Sequence, residues 1–92
     1  MTDRGDYQIS ADDVIAVIRQ LAAQGDLPSD LARAILTPAT TLEGLGLDSL
    51  AELMLLSALD EIRGVYVPDH AIFPGMTIEA LAALGKAKSL VA

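Results

Sequence analysis

The sequence predicts an all-α fold: a small four-helix bundle of three longer helices and one or two short ones, with a long loop between the first and second main helices. Three observations carry this expectation. Of the 92 residues, 52% are hydrophobic but only 3% aromatic, so alanine, leucine, isoleucine and valine must do the packing. Alanine and leucine favour helices, whereas β-branched and aromatic residues favour strands. Apolar residues recur at helical spacing in three segments, and no segment sustains strand alternation. A chain of this length holds one core and one domain. The expected divisions are a loose segment over 1–9, the folded domain over 10–85 and a tail over 86–92, with Leu90-Val91-Ala92 fraying.

The first helix is expected over about 10–24. Ser10 is a good N-cap, Asp13 stands three residues on as in a capping box, and Asp12 favours the positive helix end. Val14, Ile15, Ile18, Leu21 and Ala22 form its apolar stripe, and Gly25 stops it. Pro28, Pro38, Gly44 and Gly46 then prevent a single long helix. Within this connection, 29–36 form a short helical stretch capped by Ser29, and Leu42, Leu45 and Leu47 pin the remainder to the core. The second main helix starts at Asp48-Ser49 and ends near Arg63, with Gly64 as its stop. Its core face is Leu55, Leu56, Ala58, Leu59 and Ile62. Val65-Tyr66-Val67-Pro68 crosses in extended form, since a residue before proline avoids the helical region. Asp69 to Phe73 form one helical turn. Thr77 caps a last helix over about 77–84 that buries Ile78, Leu81, Ala82 and Leu84 and stops at Gly85.

Charge and composition exclude several functions. The formal net charge is −7, which disfavours nucleic acid and favours basic protein partners. No cysteine is present, so the chain has no disulfide, thiolate metal site or cysteine nucleophile of its own. One histidine, His70, cannot make a histidine-rich metal site or leave a second one to activate a serine. The mean hydropathy of +0.44 is not a membrane signal, because no apolar run approaches the roughly 18 residues a span needs. Met1 to Asp6 lack the basic and apolar regions of a signal peptide, so a cytoplasmic location is expected.

Leu45-Gly46-Leu47-Asp48-Ser49-Leu50 is the most informative stretch. Ser49 sits where a glycine-containing loop meets a helix N-terminus, where unpaired backbone N–H groups and the positive helix end favour a phosphate ester. Aspartate and serine are also ordinary helix caps, so three residues alone do not separate attachment from capping.

The surroundings do. Gly46-Leu47-Asp48-Ser49-Leu50 resembles the attachment motif of acyl carrier proteins of the fatty-acid and polyketide synthase kind. Leu59-Asp60-Glu61 followed by Gly64 resembles the end of that family's second helix, and Val67-Pro68-Asp69 its isoleucine/valine-proline-aspartate signature. Thr77 to Leu81 resemble the start of its last helix, and Thr41 to Leu45 the lead-in to its motif. The resemblance implies that Ser49, flanked by Asp48 and Leu50, is esterified with 4′-phosphopantetheine by a phosphopantetheinyl transferase, and that the arm's thiol holds acyl groups as thioesters. It implies a carrier rather than an enzyme, and a monomer. Implied partners are acyl-loading and condensing or tailoring enzymes with basic docking surfaces. Leu47 followed by Asp48 resembles acyl carriers more than peptidyl carriers, which remain the alternative. The methionine start and the capped domain suggest a free-standing carrier; a module excised from a larger synthase is the other reading. Two residues depart from the pattern: Arg63 stands where the family usually has an aromatic residue, a place Ile62 can fill, and Met54 where many members are acidic.

At 100° per residue, the outer face of the second helix carries Leu50, Leu53, Met54, Ser57, Asp60 and Glu61. Clustered exposed apolar residues mark contact sites, so Leu50, Leu53 and Met54, flanked by Asp60 and Glu61, form the candidate partner-binding patch. The other reading is that the connecting loop covers them. Thr40-Thr41 and Tyr66 are turn and packing residues, His70 is a surface residue, and Glu52 and Arg63 lie too far apart on one helix to pair. The rival of a different class is a small acidic helical adaptor with no prosthetic group.

Overall fold

A computed structural model of the chain describes residues 9–87. The expected loose segment up to residue 8 and the fraying end at Leu90-Val91-Ala92 lie outside the described residues. Among those described there are three α-helices: α1 (Ala11–Gln24), α2 (Ser49–Arg63) and α3 (Ile78–Leu84). The two expected short helices are 3-10 turns and shorter than expected, Ser29–Ala32 instead of 29–36 and Asp69–Ala71 instead of 69–73, and a third, unexpected 3-10 turn lies at Glu43–Leu45.

Helix α1 begins with a complete capping box. The Ser10 hydroxyl accepts from the Asp13 N–H, and the Asp13 carboxylate accepts from the Ser10 N–H. Ile9 and Val14 occupy the N′ and N4 positions of a hydrophobic staple, and both are buried. Ile9, one residue before the expected domain start, is therefore part of the packed core. Gly25 ends the helix at φ +88, a left-handed conformation that suits glycine. Helix α1 then packs against α2, α3 and the first 3-10 turn. Val14, Val17, Ile18, Leu55, Leu59, Ile78 and Leu81 are fully buried where these elements meet.

Four expectations are corrected. Ser29 is not a cap: its turn follows Pro28, with no side-chain cap, and is held from outside by Arg19. The Arg19 Nη1 donates to the Leu31, Ala32 and Ala34 carbonyls at 3.3, 3.1 and 3.1 Å. Ile62 is not core; it is 36% exposed, because α1 does not cover that edge of α2. It therefore does not replace the missing aromatic anchor. The fold also has a short antiparallel pair, β1 (Val65–Tyr66) with β2 (Lys86–Ala87); two residues per strand are too few to show alternation. Leu84, expected in the core, is only partly buried.

Arg63 does more than lie across the surface. Its Nε stands 3.5 Å from Asp13 Oδ1, which ties the end of α2 to the start of α1. At that length the contact is an ion pair rather than a good hydrogen bond. The Asp13 pKa lies below its ordinary value of 3.8, chiefly through the Ser10 backbone hydrogen bond, which outweighs the opposing effect of burial, with smaller help from the Ser10 hydroxyl and from Arg63.

Because the folded Asp13 pKa is depressed, its stabilising contribution is complete above the unfolded value and is lost as pH falls through the folded one. Asp13→Asn is therefore expected to lower Tm at pH 7, with the gap to wild type closing below about pH 4. Thermal melts across pH 2–7 check this, and a gap that stays constant would refute it. Gly85 has φ −67, so its glycine is required by space: an added Cβ would lie 2.6 Å from Val65 Cγ1 and 3.3 Å from the Ala82 carbonyl. Gly85→Ala is expected to cost about 1–3 kcal/mol as overpacking, a Tm loss of roughly 4–8 °C per kcal/mol. Calorimetry reads it directly.

Candidate functional site

The head of α2 is set by the chain before it. Leu42 and Leu45 are buried and anchor the 3-10 turn Glu43–Leu45, whose Gly44 N–H donates to Thr41 Oγ1 at 2.9 Å. The backbone of this stretch is strapped to the approach to α3. Leu42 N–H donates to the Met76 carbonyl and Glu43 N–H to the Pro74 carbonyl, both at 2.8 Å. Gly46 then takes φ +74, where a side chain would strain the backbone although the space is open. Leu47 is half-buried against the core, and the chain turns into α2.

Asp48 is the N-cap: its Oδ1 accepts from the Ala51 N–H at 2.8 Å and its carbonyl from the Glu52 N–H at 2.9 Å. Ser49, the first helical residue, is exposed. Because Asp48 performs the capping, the Ser49 hydroxyl is not needed for it. The N–H groups of Ser49 and Leu50 have no carbonyl partner inside the helix, and they sit at the positive end of a 15-residue helix. The negative end carries Arg63, as the dipole favours.

This arrangement fits a phosphate ester on Ser49, and the other described serines fit it less well. The Ser10 hydroxyl is taken by its capping box. Ser29 opens a four-residue 3-10 turn, and Ser57 lies mid-helix on α2, where the neighbouring N–H groups bond within the helix. Among the described serines, Ser49 alone combines exposure, a cap supplied by its neighbour and open backbone donors.

The expected outer face is present. Leu50 is 66% exposed and Leu53 49%, Met54 is half-buried, Glu61 exposed and Asp60 half-buried. The connection from 25 to 48 does not cover Leu50 and Leu53. His70 is exposed on its 3-10 turn, and Glu52, half-buried, does not meet Arg63, which pairs with Asp13. Among the described residues no three His, Cys, Asp or Glu side chains gather as a metal group, and no helix is long and apolar enough to cross a membrane.

Two features escaped the sequence. Arg19 holds three carbonyls lying 12 to 15 residues away; its only local signal is a cation at the edge of the apolar stripe of α1. Gln20 and Gln24, one helical turn apart on α1, line an open groove with Leu53, Met54, Ala58 and Ile62 of α2. Their i, i+4 spacing was readable, but the facing helix was not.

Comparison with curated proteins and with solved structures finds no match. A family model does match: the one described as "Phosphopantetheine attachment site" covers residues 12–84, and so spans α1, the head of α2 and α3. Domains of this family are non-catalytic carriers that work with a phosphopantetheinyl transferase and with partner enzymes. By that match the chain belongs to the phosphopantetheine attachment site family, a carrier with 4′-phosphopantetheine bound covalently to a serine.

Proposed function

We propose that Ser49 is the serine that bears the group, and that the chain is an acyl carrier of the fatty-acid or polyketide kind. The observation that carries the first part is the division of labour at the head of α2. Asp48 caps the helix through Ala51 while the neighbouring Ser49 stays exposed. In the transfer, Ser49 Oγ displaces adenosine 3′,5′-bisphosphate from coenzyme A; a phosphodiester forms and the hydroxyl proton leaves. The Ser49 and Leu50 N–H groups are free to donate to the new phosphate. The arm supplies a thiol for thioesters, which a chain without cysteine cannot supply itself.

The acyl rather than peptidyl reading rests on Leu47-Asp48 before the serine, a pairing that resembles acyl carriers. The partner surface follows from exposure and charge. Leu50, Leu53 and Met54 form an apolar centre beside Ser49, with Asp60 and Glu61 at its far edge. From Asp48 to Ile62 the helix has four acidic residues and no basic one. Such a surface suits partners whose docking sites are apolar with a basic rim, the apolar part giving affinity and the charge steering approach.

Incubation with coenzyme A, magnesium and a promiscuous transferase is expected to add one phosphopantetheine by intact mass. Ser49→Ala abolishes the gain, while Ser29→Ala and Ser57→Ala keep it. An unmodified wild type, or modification that survives Ser49→Ala, refutes the assignment.

Leu53→Ala combined with Met54→Ala is expected to weaken partner engagement about tenfold, or ~1.4 kcal/mol, with an unchanged circular dichroism spectrum. Steady-state kinetics of a loading enzyme measure this, and unaltered KM and kcat would remove the patch from the partner surface.

A further inference from the structure

Among the described residues no aromatic ring belongs to the buried core, and Tyr66 and Phe73 are 52% and 55% exposed. Tyr66, expected as a packing residue, is therefore not spent on the interior. Tyrosine is enriched at protein interfaces, since its ring is apolar at one end and polar at the other and freezes only two torsions on binding.

Tyr66 forms one wall of a cleft of about 310 Å³ between α2 and β1. Leu56 and Val67, both buried, make its floor. Leu53, the Ser57 hydroxyl and the Asp60 carboxylate line the α2 side, where their spacing of four and three residues keeps them on one helix face. Two aliphatic side chains, an aromatic face, a hydroxyl and a carboxylate thus meet in one small opening.

We propose that this cleft is the receptacle for an arginine side chain presented by a partner protein. The inference rests on the reading of α2 as a surface for basic partners, and it adds the point at which such a partner is anchored.

Size limits the occupant. Cavities that hold small ligands run from roughly 300 to 1,000 Å³, so about 310 Å³ admits one long side chain and excludes a helix. Charge sets the sign: the chain carries −7, and from Asp48 to Ile62 there are four acidic residues and no basic one. The lining groups set the type. An arginine stem lies along Leu53 and Leu56, its plane stacks on the Tyr66 ring, and its fork donates to the Asp60 carboxylate and the Ser57 hydroxyl. A carboxylate has about four lone-pair sites, enough to accept such a fork beside another donor. A lysine ammonium is more strongly hydrated and has no plane to stack, so arginine is preferred.

Placement supports it too. Tyr66 is held in register with β2, so its ring is presented from a fixed backbone, which lowers the ordering cost of binding. Asp60 lies roughly 16 Å along the helix axis from Ser49 at 1.5 Å per residue. A partner anchored there leaves the attachment serine uncovered.

The test titrates the full-length protein with Nα-acetyl-arginine amide and follows ¹H–¹⁵N NMR. Saturable shifts are expected at the amides of Ser57, Asp60, Tyr66 and Val67, with Gln20 and Gln24 on α1 unmoved. The citrulline analogue, a neutral isostere, should give none at the same concentration, and the lysine analogue should need several-fold more. Tyr66→Leu is expected to weaken arginine binding about three- to fivefold, Asp60→Asn to weaken it as well, and Tyr66→Phe, which keeps the ring, to retain it. Equal shifts with citrulline, or loss with Tyr66→Phe, overturn the proposal. So does an affinity indifferent to Tyr66→Leu, or shifts spread over every acidic position. None of these outcomes touches the apolar docking patch, which Leu53→Ala with Met54→Ala tests separately, or the attachment at Ser49, which intact mass tests.

Discussion

The strap between the connection and α3 is the constraint on which the site depends. Four backbone hydrogen bonds build it: Leu42 and Glu43 donate to Met76 and Pro74, while Ile78 and Glu79 donate to Thr40 and Pro38. Thr41 and Thr77 face each other across it as an isolated β-bridge. These bonds settle backbone groups that burial of Leu42 and Leu45 would otherwise strand away from water. They also decide how the two later helices begin. In α3 the first two N–H groups are spent on Thr40 and Pro38 and the third on Thr77 Oγ1. In α2 the third is spent on Asp48, and the first two, at Ser49 and Leu50, have no carbonyl partner in the helix. One helix head is closed by the strap; the other, which the strap positions, is left open.

What could be read in the sequence is what is settled within a few residues. Ser10, Asp13, Gly25, Asp48, Gly64 and Thr77 act where expected, because capping concerns a single turn of backbone. Ser49 belongs to the same class: its exposure follows from a cap placed one residue before it. What escaped depends on partners far away in the chain. Ile62 lies at the edge of the apolar stripe by periodicity, but burial needs an opposing surface, and α1 leaves that edge uncovered. Ser29 has the side chain of a cap, yet its turn is stabilised by Arg19 from the neighbouring helix. Arg63 meets Asp13 across fifty positions of sequence, which no spacing rule anticipates. The β1–β2 pair is too short to leave a pattern.

Two of the six basic residues are committed inside the fold. Arg19 is turned onto three carbonyls, and Arg63 sits beside Asp13 at the end of α2 remote from Ser49. Both solve structural problems, one by satisfying the carbonyls of a short turn and the other by joining two helix ends. The consequence is electrostatic. Arg63 stands in the last turn of α2, about 21 Å along the axis from Ser49, so it does not offset the charge of Asp48 and Glu52 at the head of the helix. Charges at such an exposed surface act over about a Debye length, some 8 Å at physiological salt. They influence the approach of a partner more than the strength of its final contact.

Met54 is where the core and the surface of α2 meet. It borders the open groove between α1 and α2, and it is half-buried where Leu50 and Leu53 are exposed. Methionine has an unbranched, adaptable side chain that repacks at little cost. An acidic residue at this point, as many carriers of this kind have, would have to keep its carboxylate hydrated, and would offer a neighbour charge rather than apolar area. Methionine instead lies against the groove or turns outward with little strain. The apolar face beside the head of α2 is therefore adaptable in shape, while Asp60 and Glu61 keep charge at its far edge.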